Sequence, residues 1–165
     1  MQLLGTLKIP FSLVRSLAIQ CHALDISAHH LLLDTTHNDK RGQTRRTYEE
    51  LYSSQLLSLA IALRTLFYQG VDHVGTIEYI AHCGLLFKEG EKFDEAIAFS
   101  IKDVCDKIIH AASVNRYLEH DVEKPTTTIR GTDQGGQEWD LSLSVSFFAE
   151  GTLNWLEQLE QAPPT

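Results

Sequence analysis

The segment that most constrains the fold runs from residue 93 to residue 111 and reads FDEAIAFSIKDVCDKIIHA. Its apolar side chains recur at spacings of three and four, which is the spacing of one face of an α-helix. This apolar face comprises Phe93, Ile97, Ile101, Val104 and Ile108. The opposite side of the same helix carries Phe99, Asp103, Asp106 and His110. We therefore expect a helix of about five turns that faces a core on one side and a second partner on the other.

Two longer helices are predicted upstream, over residues 10–33 and 44–69, because both segments keep the helical spacing of apolar residues. Between them, residues 34–44 are polar and contain Gly42, so we expect a loop. A short helix is predicted over residues 76–83. One face of the second helix carries only small side chains, namely Ser54, Ser58, Ala62 and Thr65. Such a face lets another helix approach closely.

Beyond residue 111 the spacing changes to that of β-strands. From residue 139 to residue 147, apolar and polar side chains alternate strictly, which is typical of an antiparallel strand with one buried face. Residues 126–130 are rich in β-branched side chains and lie across a glycine turn from that segment, so we expect the two to pair. A further strand is predicted over residues 113–119, and a last helix over residues 148–161.

Together these elements predict a mainly α fold. We expect an antiparallel bundle of about four main helices, with a small antiparallel β-sheet inserted before the C-terminal helix. The chain of 165 residues is long enough for one core, so we expect a single domain over residues 1–165 with the β insertion at about residues 113–147. The hydrophobic content of 43% is that of a globular protein.

The charge of the chain limits its partners. A formal net charge of -8 and a pI near 5.4 argue against broad nonspecific binding to nucleic acid or to an anionic membrane surface. Within this acidic chain, one basic cluster is formed by Lys40, Arg41, Arg45 and Arg46. A solvated loop and helix start is the ordinary interpretation of such a cluster, and phosphate binding is the alternative.

No cofactor and no metal site is predicted. The three cysteines are Cys21, Cys83 and Cys105. No two of them have the spacing of metal ligands, so we expect free thiols and a cytoplasmic location. Arg15 and His22 interrupt the N-terminal apolar run, so no signal peptide is predicted either. His22, Asp25 and His29 share one face of the first helix, but ligands from one helix do not close a metal site.

The run CDKIIH at residues 105–110 resembles the signature helix of the HEPN superfamily (higher eukaryotes and prokaryotes nucleotide-binding). Asp106 matches the polar residue of that motif and His110 matches its histidine, while Cys105 stands where the family has an arginine. The resemblance implies a small helical bundle that is often dimeric. In many members the histidine and the arginine act on the RNA phosphodiester as a ribonuclease. A cysteine supplies neither the positive charge nor the bidentate donor of an arginine.

Two functions follow from these observations as expectations. The first is a non-catalytic HEPN-like module that binds a protein partner or itself, for which the resemblance implies a defence or toxin–antitoxin setting. The second is a metal-independent ribonuclease with His110 and Asp106 as its catalytic residues, in which Arg45, Arg46 or Arg64 supplies the missing cation. For His110 and Asp106, a simple hydrogen bond between neighbours on one helix is the alternative to any catalytic role.

We also expect a homodimer formed through the Phe99 side of the helix at residues 93–111, because an aromatic side chain opposite the core needs a second partner. The residues predicted to contact RNA or a protein partner are Phe99, Asp103, Asp106, His110, Arg45 and Arg46. Binding of nucleic acid is left open, and no membrane association is expected.

Overall fold

The computed structural model describes residues 8–32, 41–69, 84–88, 97–116 and 126–161, with the backbone alone for residues 41, 85–88 and 97–98. The helices in these parts are α1 (Phe11–Leu32), α2 (Arg41–Tyr68), α3 (Ile101–Ile109) and α4 (Val145–Gln161). The strands are β1 (Gly84–Lys88), β2 (Ile97–Ala98), β3 (Ser113–Arg116), β4 (Thr127–Thr132) and β5 (Glu138–Leu143). The fold is mainly α, and β3, β4 and β5 directly precede the last helix, as predicted.

The two long helices run antiparallel. The Ile9 backbone N–H donates to Gln69 Oε1 at 3.0 Å beside one end of the pair, and the Tyr48 hydroxyl donates to the Leu24 carbonyl at 2.7 Å near the other. The predicted bounds hold to within three residues. The largest difference is that residues 41–44, predicted as loop, form the first turn of α2. Gly42 lies on an open surface there and costs a helix only about 1 kcal/mol.

α3 is shorter than the sequence predicted. Its start is fixed by Ser100, whose hydroxyl accepts the Asp103 backbone N–H at 3.3 Å and donates to the Asp103 carboxylate at 2.6 Å. This pairing stabilises the first turn of a helix and marks where the helix begins. Phe99 therefore precedes α3, and its predicted place on the helix face opposite the core is wrong. Its half-buried side chain packs against the core of its own chain.

The sheet is antiparallel in the order β2-β1-β5-β4-β3, so β5 lies at its centre. The predicted pairing of β4 with β5 is confirmed, with Thr127 opposite Leu143 and Ile129 opposite Leu141. Trp139, Leu141 and Leu143 are buried along one face of β5, as the alternation predicted.

The sheet extends beyond the predicted insertion at residues 113–147. Strands β1 and β2 come from before α3 and join the same sheet, β1 by pairing with β5. Residues 97 and 98, which the helical spacing placed in a helix, belong to β2. The predicted short helix at residues 76–83 lies outside the described residues.

The strand predicted over residues 139–147 ends early, because α4 begins at Val145. The Phe148 backbone N–H donates to the Ser144 carbonyl at 3.0 Å, which closes the first helical turn. From this point the buried side chains follow the helical spacing, with Phe148, Thr152 and Trp155 all on the core side. The alternation of residues 145 and 147 with serines is thus compatible with a strand or with a helix. The helix forms because it packs its buried side on α1.

Candidate functional site

The structure brings one arginine to the motif residues of α3. Arg64 on α2 places its Nη1 at 3.1 Å from Asp106 Oδ1, and Lys102 donates to the other carboxylate oxygen at 3.3 Å. Arg64 is one of the three arginines that the sequence suggested as a replacement cation. The charge of the Asp106 carboxylate is already balanced by these two neighbours.

The other residues predicted to contact RNA or a protein partner do not form one cluster with Arg64 and Asp106. His110 is exposed at the end of α3, where its backbone N–H donates to the Asp106 carbonyl at 3.2 Å. Asp103 is engaged in the cap of the same helix. Arg45 and Arg46 lie in the first turns of α2, about 27 Å along the helix from Arg64. The structure therefore separates these two arginines from the end of α3.

Cys105 is fully buried, with 0% of its surface exposed. It lies beside Val104 and Ile108, which belong to the apolar face of α3. The position that holds an arginine in the HEPN motif thus points into the core in this chain. A guanidinium introduced there would be buried instead of being presented to a substrate.

A buried cluster of polar groups lies on the side of α2 away from Arg64, and no local sequence pattern predicted it. Asp25 on α1 is 6% exposed, and the Arg116 side chain on β3 is 7% exposed. Arg116 Nη1 donates to Asp25 Oδ1, and Arg116 Nη2 donates to the Asp25 carbonyl at 2.7 Å. We call the set Asp25, Tyr52, Arg116 and Thr127 the polar hub.

The hub joins elements from the whole length of the chain. The Tyr52 hydroxyl on α2 donates to Asp25 Oδ1 at 3.1 Å and lies 2.7 Å from the Thr127 hydroxyl on β4. Asp25 Oδ2 accepts the Ser146 backbone N–H at 3.0 Å, so the carboxylate also caps the start of α4. Two long helices, strand β3 and the last helix therefore meet at one carboxylate, and β4 joins them through the contact of Thr127 with Tyr52.

The hub is closed to solvent, and its environment suppresses ionisation of the nearby phenols and thiol. Burial raises the pKa of Tyr48 to about 12, with Asp25 adding to the shift and Arg116 opposing it. Burial, again helped by Asp25, raises the pKa of Tyr52 further and that of Cys21 to about 12. These groups stay protonated near neutral pH. The hub therefore holds helices and strands together and is inaccessible to a substrate.

The outer surface of α1 is unusual because it has no charged side chains. The exposed positions of α1 are Ser12, Leu13, Ser16, Ile19, Gln20, Ala23, Ile26, His30 and Leu31. The two charged residues of the helix both point elsewhere: Asp25 belongs to the hub, and Arg15 pairs with Glu160 of α4 at 2.8 Å. A surface helix ordinarily carries its charged residues on the side away from the core.

The neighbouring part of α2 continues this charge-free surface. From residue 51 to residue 69, the exposed positions are Leu51, Ser54, Leu57, Ser58, Ile61, Tyr68 and Gln69. Ile26 on α1 is 60% exposed and Ile61 on α2 is 49% exposed. We call the exposed residues of α1 and of residues 51–69, which end one position after α2, the outer helical surface.

The small polar residues of this surface are already hydrogen bonded. The Ser54 hydroxyl donates to the Leu51 carbonyl at 3.0 Å, and the Ser58 hydroxyl donates to the Ser54 carbonyl at 2.7 Å. On α1, Ser16 accepts from the Gln20 side-chain amide at 3.0 Å. Because these groups do not depend on water, another helix can cover them at little cost.

Within the described ranges, no three His, Cys, Asp or Glu side chains are grouped so as to hold a metal, and none of the helices has the length and hydropathy needed to span a bilayer. Of the three residues that share a face of α1, Asp25 belongs to the hub and His22 lies 3.0 Å from Glu150.

Neither a family model, nor a curated protein, nor a solved structure matches the chain. The similarity to the HEPN superfamily therefore remains a prediction from residues 105–110 alone.

Proposed function

We propose that the chain is a non-catalytic, HEPN-like interaction module that binds a protein partner through the outer helical surface. The observation that carries the proposal is the absence of charge from this surface in a chain of which 22% of the residues are charged. Depletion of charged residues is the compositional mark of the centre of a protein interface. Covering exposed apolar side chains such as Ile26 and Ile61 supplies free energy for binding, at about 25 cal/mol per Å² of apolar surface.

The geometry of α3 supports the non-catalytic part of the proposal. Catalysis of phosphodiester cleavage needs a cation placed where the transition state develops charge. Cys105 is buried and uncharged, and Asp106 already engages both Arg64 and Lys102. Both cations that contact Asp106 are therefore already paired within the chain.

Site-specific photo-crosslinking in the native cells tests the binding surface. A photoreactive amino acid at position 26 or 61 should give a protein adduct, identified by mass spectrometry, whereas one at the exposed turn residue Gln137 should give none. Binding of the identified protein in purified form should then be lost on Ile26→Lys. Equal adducts at all three positions, or none above the Gln137 background, would overturn the proposal.

A ribonuclease is the second candidate, and the placement of Arg64 is the observation that favours it. Arg64 reaches Asp106, one helical turn before His110, so a cation and an imidazole lie at the same end of α3. Two contacts oppose this function. The guanidinium already pairs with Asp106, and it lies 5.7 Å from the centroid of the Tyr68 ring. We therefore expect no specific cleavage of RNA.

An RNA-cleavage assay distinguishes the two candidates. The purified chain should cleave RNA no faster than its His110→Ala and Arg64→Ala variants, and no faster than a matched control, Arg130→Ala on the exposed face of β4. General acid–base catalysis alone contributes about 10²–10⁴-fold, which such an assay detects. Cleavage that is lost with His110→Ala and Arg64→Ala but kept with Arg130→Ala would establish the ribonuclease instead.

A further inference from the structure

We infer that the occupant of the outer helical surface is a second copy of this chain, so that α1 and α2 of two copies pack face to face around a two-fold axis. This inference rests on the proposed function and names its partner. It replaces the Phe99 side of α3 as the expected dimer interface, because Phe99 packs against the core of its own chain.

The size of the surface fits a stable dimer. The exposed positions of α1 extend over about 29 Å of helix, and packed helices lie about 10 Å apart. Two such helices side by side offer roughly 600 Å², which is of the order of the ~800 Å² that each partner contributes to a standard interface. A single amphipathic helix laid along the α1–α2 seam would cover only part of that width.

The shape of the surface is compatible with itself. By helical spacing, Ser16 and Ser58 lie toward the seam between α1 and α2, while Ile19 and Ile26 form a ridge farther from it. Ridges of one helix pair pack into the strips of small side chains on another. A two-fold axis makes each such contact twice, because the same surface is used on both copies.

The charge distribution also favours a second copy. Two chains that each carry a net charge of -8 repel one another at most orientations. The exposed positions of the outer helical surface carry no charged side chain, and Arg64, which borders it beside Tyr68, is 29% exposed and paired with Asp106. Two copies can therefore approach there with little opposition of like charges. A nucleic acid would require basic side chains here, and a strongly charged protein would require the opposite charge.

Sedimentation equilibrium or light scattering of the purified full chain over a range of concentrations tests this inference. We expect a dimer at tens of micromolar. Ile26→Lys and Ile61→Lys should each raise the dissociation constant about tenfold or more, and the double variant should be monomeric. Gln137→Lys adds the same charge at the exposed β4–β5 turn and should remain dimeric. Because Ile26 and Ile61 are exposed, both variants should keep the circular dichroism and thermal midpoint of a folded monomer.

The outcomes separate this inference from the proposed function. A purified chain that is monomeric at all concentrations, or a dimer that both lysine variants leave intact, overturns the second copy as the occupant. If that monomer still forms an adduct with a different protein from positions 26 and 61 in cells, the interaction module stands and only its partner changes. A monomer without adducts overturns both, whereas an adduct of the chain with itself supports both.

Discussion

Replacing Asp25 with alanine should lower the free energy of unfolding by about 3–5 kcal/mol, because it leaves the Arg116 guanidinium buried without its charge partner. The substitution also removes the acceptor for the Tyr52 hydroxyl and for the Ser146 backbone N–H at the start of α4. Equilibrium unfolding in urea, followed by circular dichroism, measures the loss. A loss of this size is a large share of the 5–15 kcal/mol that stabilises a typical domain.

A double-mutant cycle shows whether the loss comes from the buried charge pair. Arg116→Met alone should also lower the free energy of unfolding strongly. The double variant Asp25→Ala/Arg116→Met should lose much less than the sum of the two single losses, since no unpaired charge remains in it. Glu150→Ala, which removes the partly exposed partner of His22, is the matched control and should cost less than about 1 kcal/mol. Additive effects of Asp25→Ala and Arg116→Met would contradict the role assigned to the hub.

Leu143→Asp should prevent stable folding. Leu143 is fully buried near the end of the central strand β5, where it lies opposite Gly84 on one side and Thr127 on the other. The substitution removes about 1.5–3 kcal/mol of apolar burial and places an uncompensated carboxylate in the core, so the total loss should exceed about 4 kcal/mol. Loss of the cooperative thermal transition and of chemical-shift dispersion in NMR spectra would report it.

Ser142→Asp is the matched control, because it introduces the same residue one position earlier, on the half-buried face of β5. It should leave a cooperative transition with a loss of about 1 kcal/mol, the usual size for a single substitution. Equal stability of the two variants would mean that the burial of alternate residues along β5 is not what holds the sheet to the helices.

Sequence reasoning succeeded where one spacing rule held over a long segment. α1 and α2 keep the helical spacing of apolar residues for 22 and 28 residues, so their bounds were predicted to within three residues. It failed where two structures satisfy the same spacing. Ile97 and Ile101 fit one helix by spacing, yet β2 ends at Ala98 and α3 begins after Ser100. The pairing of Ser100 with Asp103 was the local signal that could have placed this boundary.

The outer helical surface and the polar hub both depend on which side of each helix is buried. The small residues of α2 were recognised in the sequence, but the charge-free surface of α1 was not, because Arg15 and Asp25 made that helix look polar. In the structure, Asp25 is buried in the hub and Arg15 points toward Glu160 on α4. The hub itself had no local signal, since Asp25 and Arg116 are 91 residues apart in the chain. Such a pair is defined by the tertiary fold and not by any motif.

The polar hub also has a consequence for the order in which the chain acquires structure during synthesis. The Asp25 carboxylate emerges from the ribosome long before Arg116 and the Ser146 N–H, the two groups that compensate its burial. Contacts between such distant segments form slowly, because a long loop must close first. α1 and α2 can form a helical hairpin early, but the hairpin must keep Asp25 solvated until residue 146 is available. Completion of the core therefore comes late, because α4 can close over the hub only once residue 146 has emerged from the ribosome.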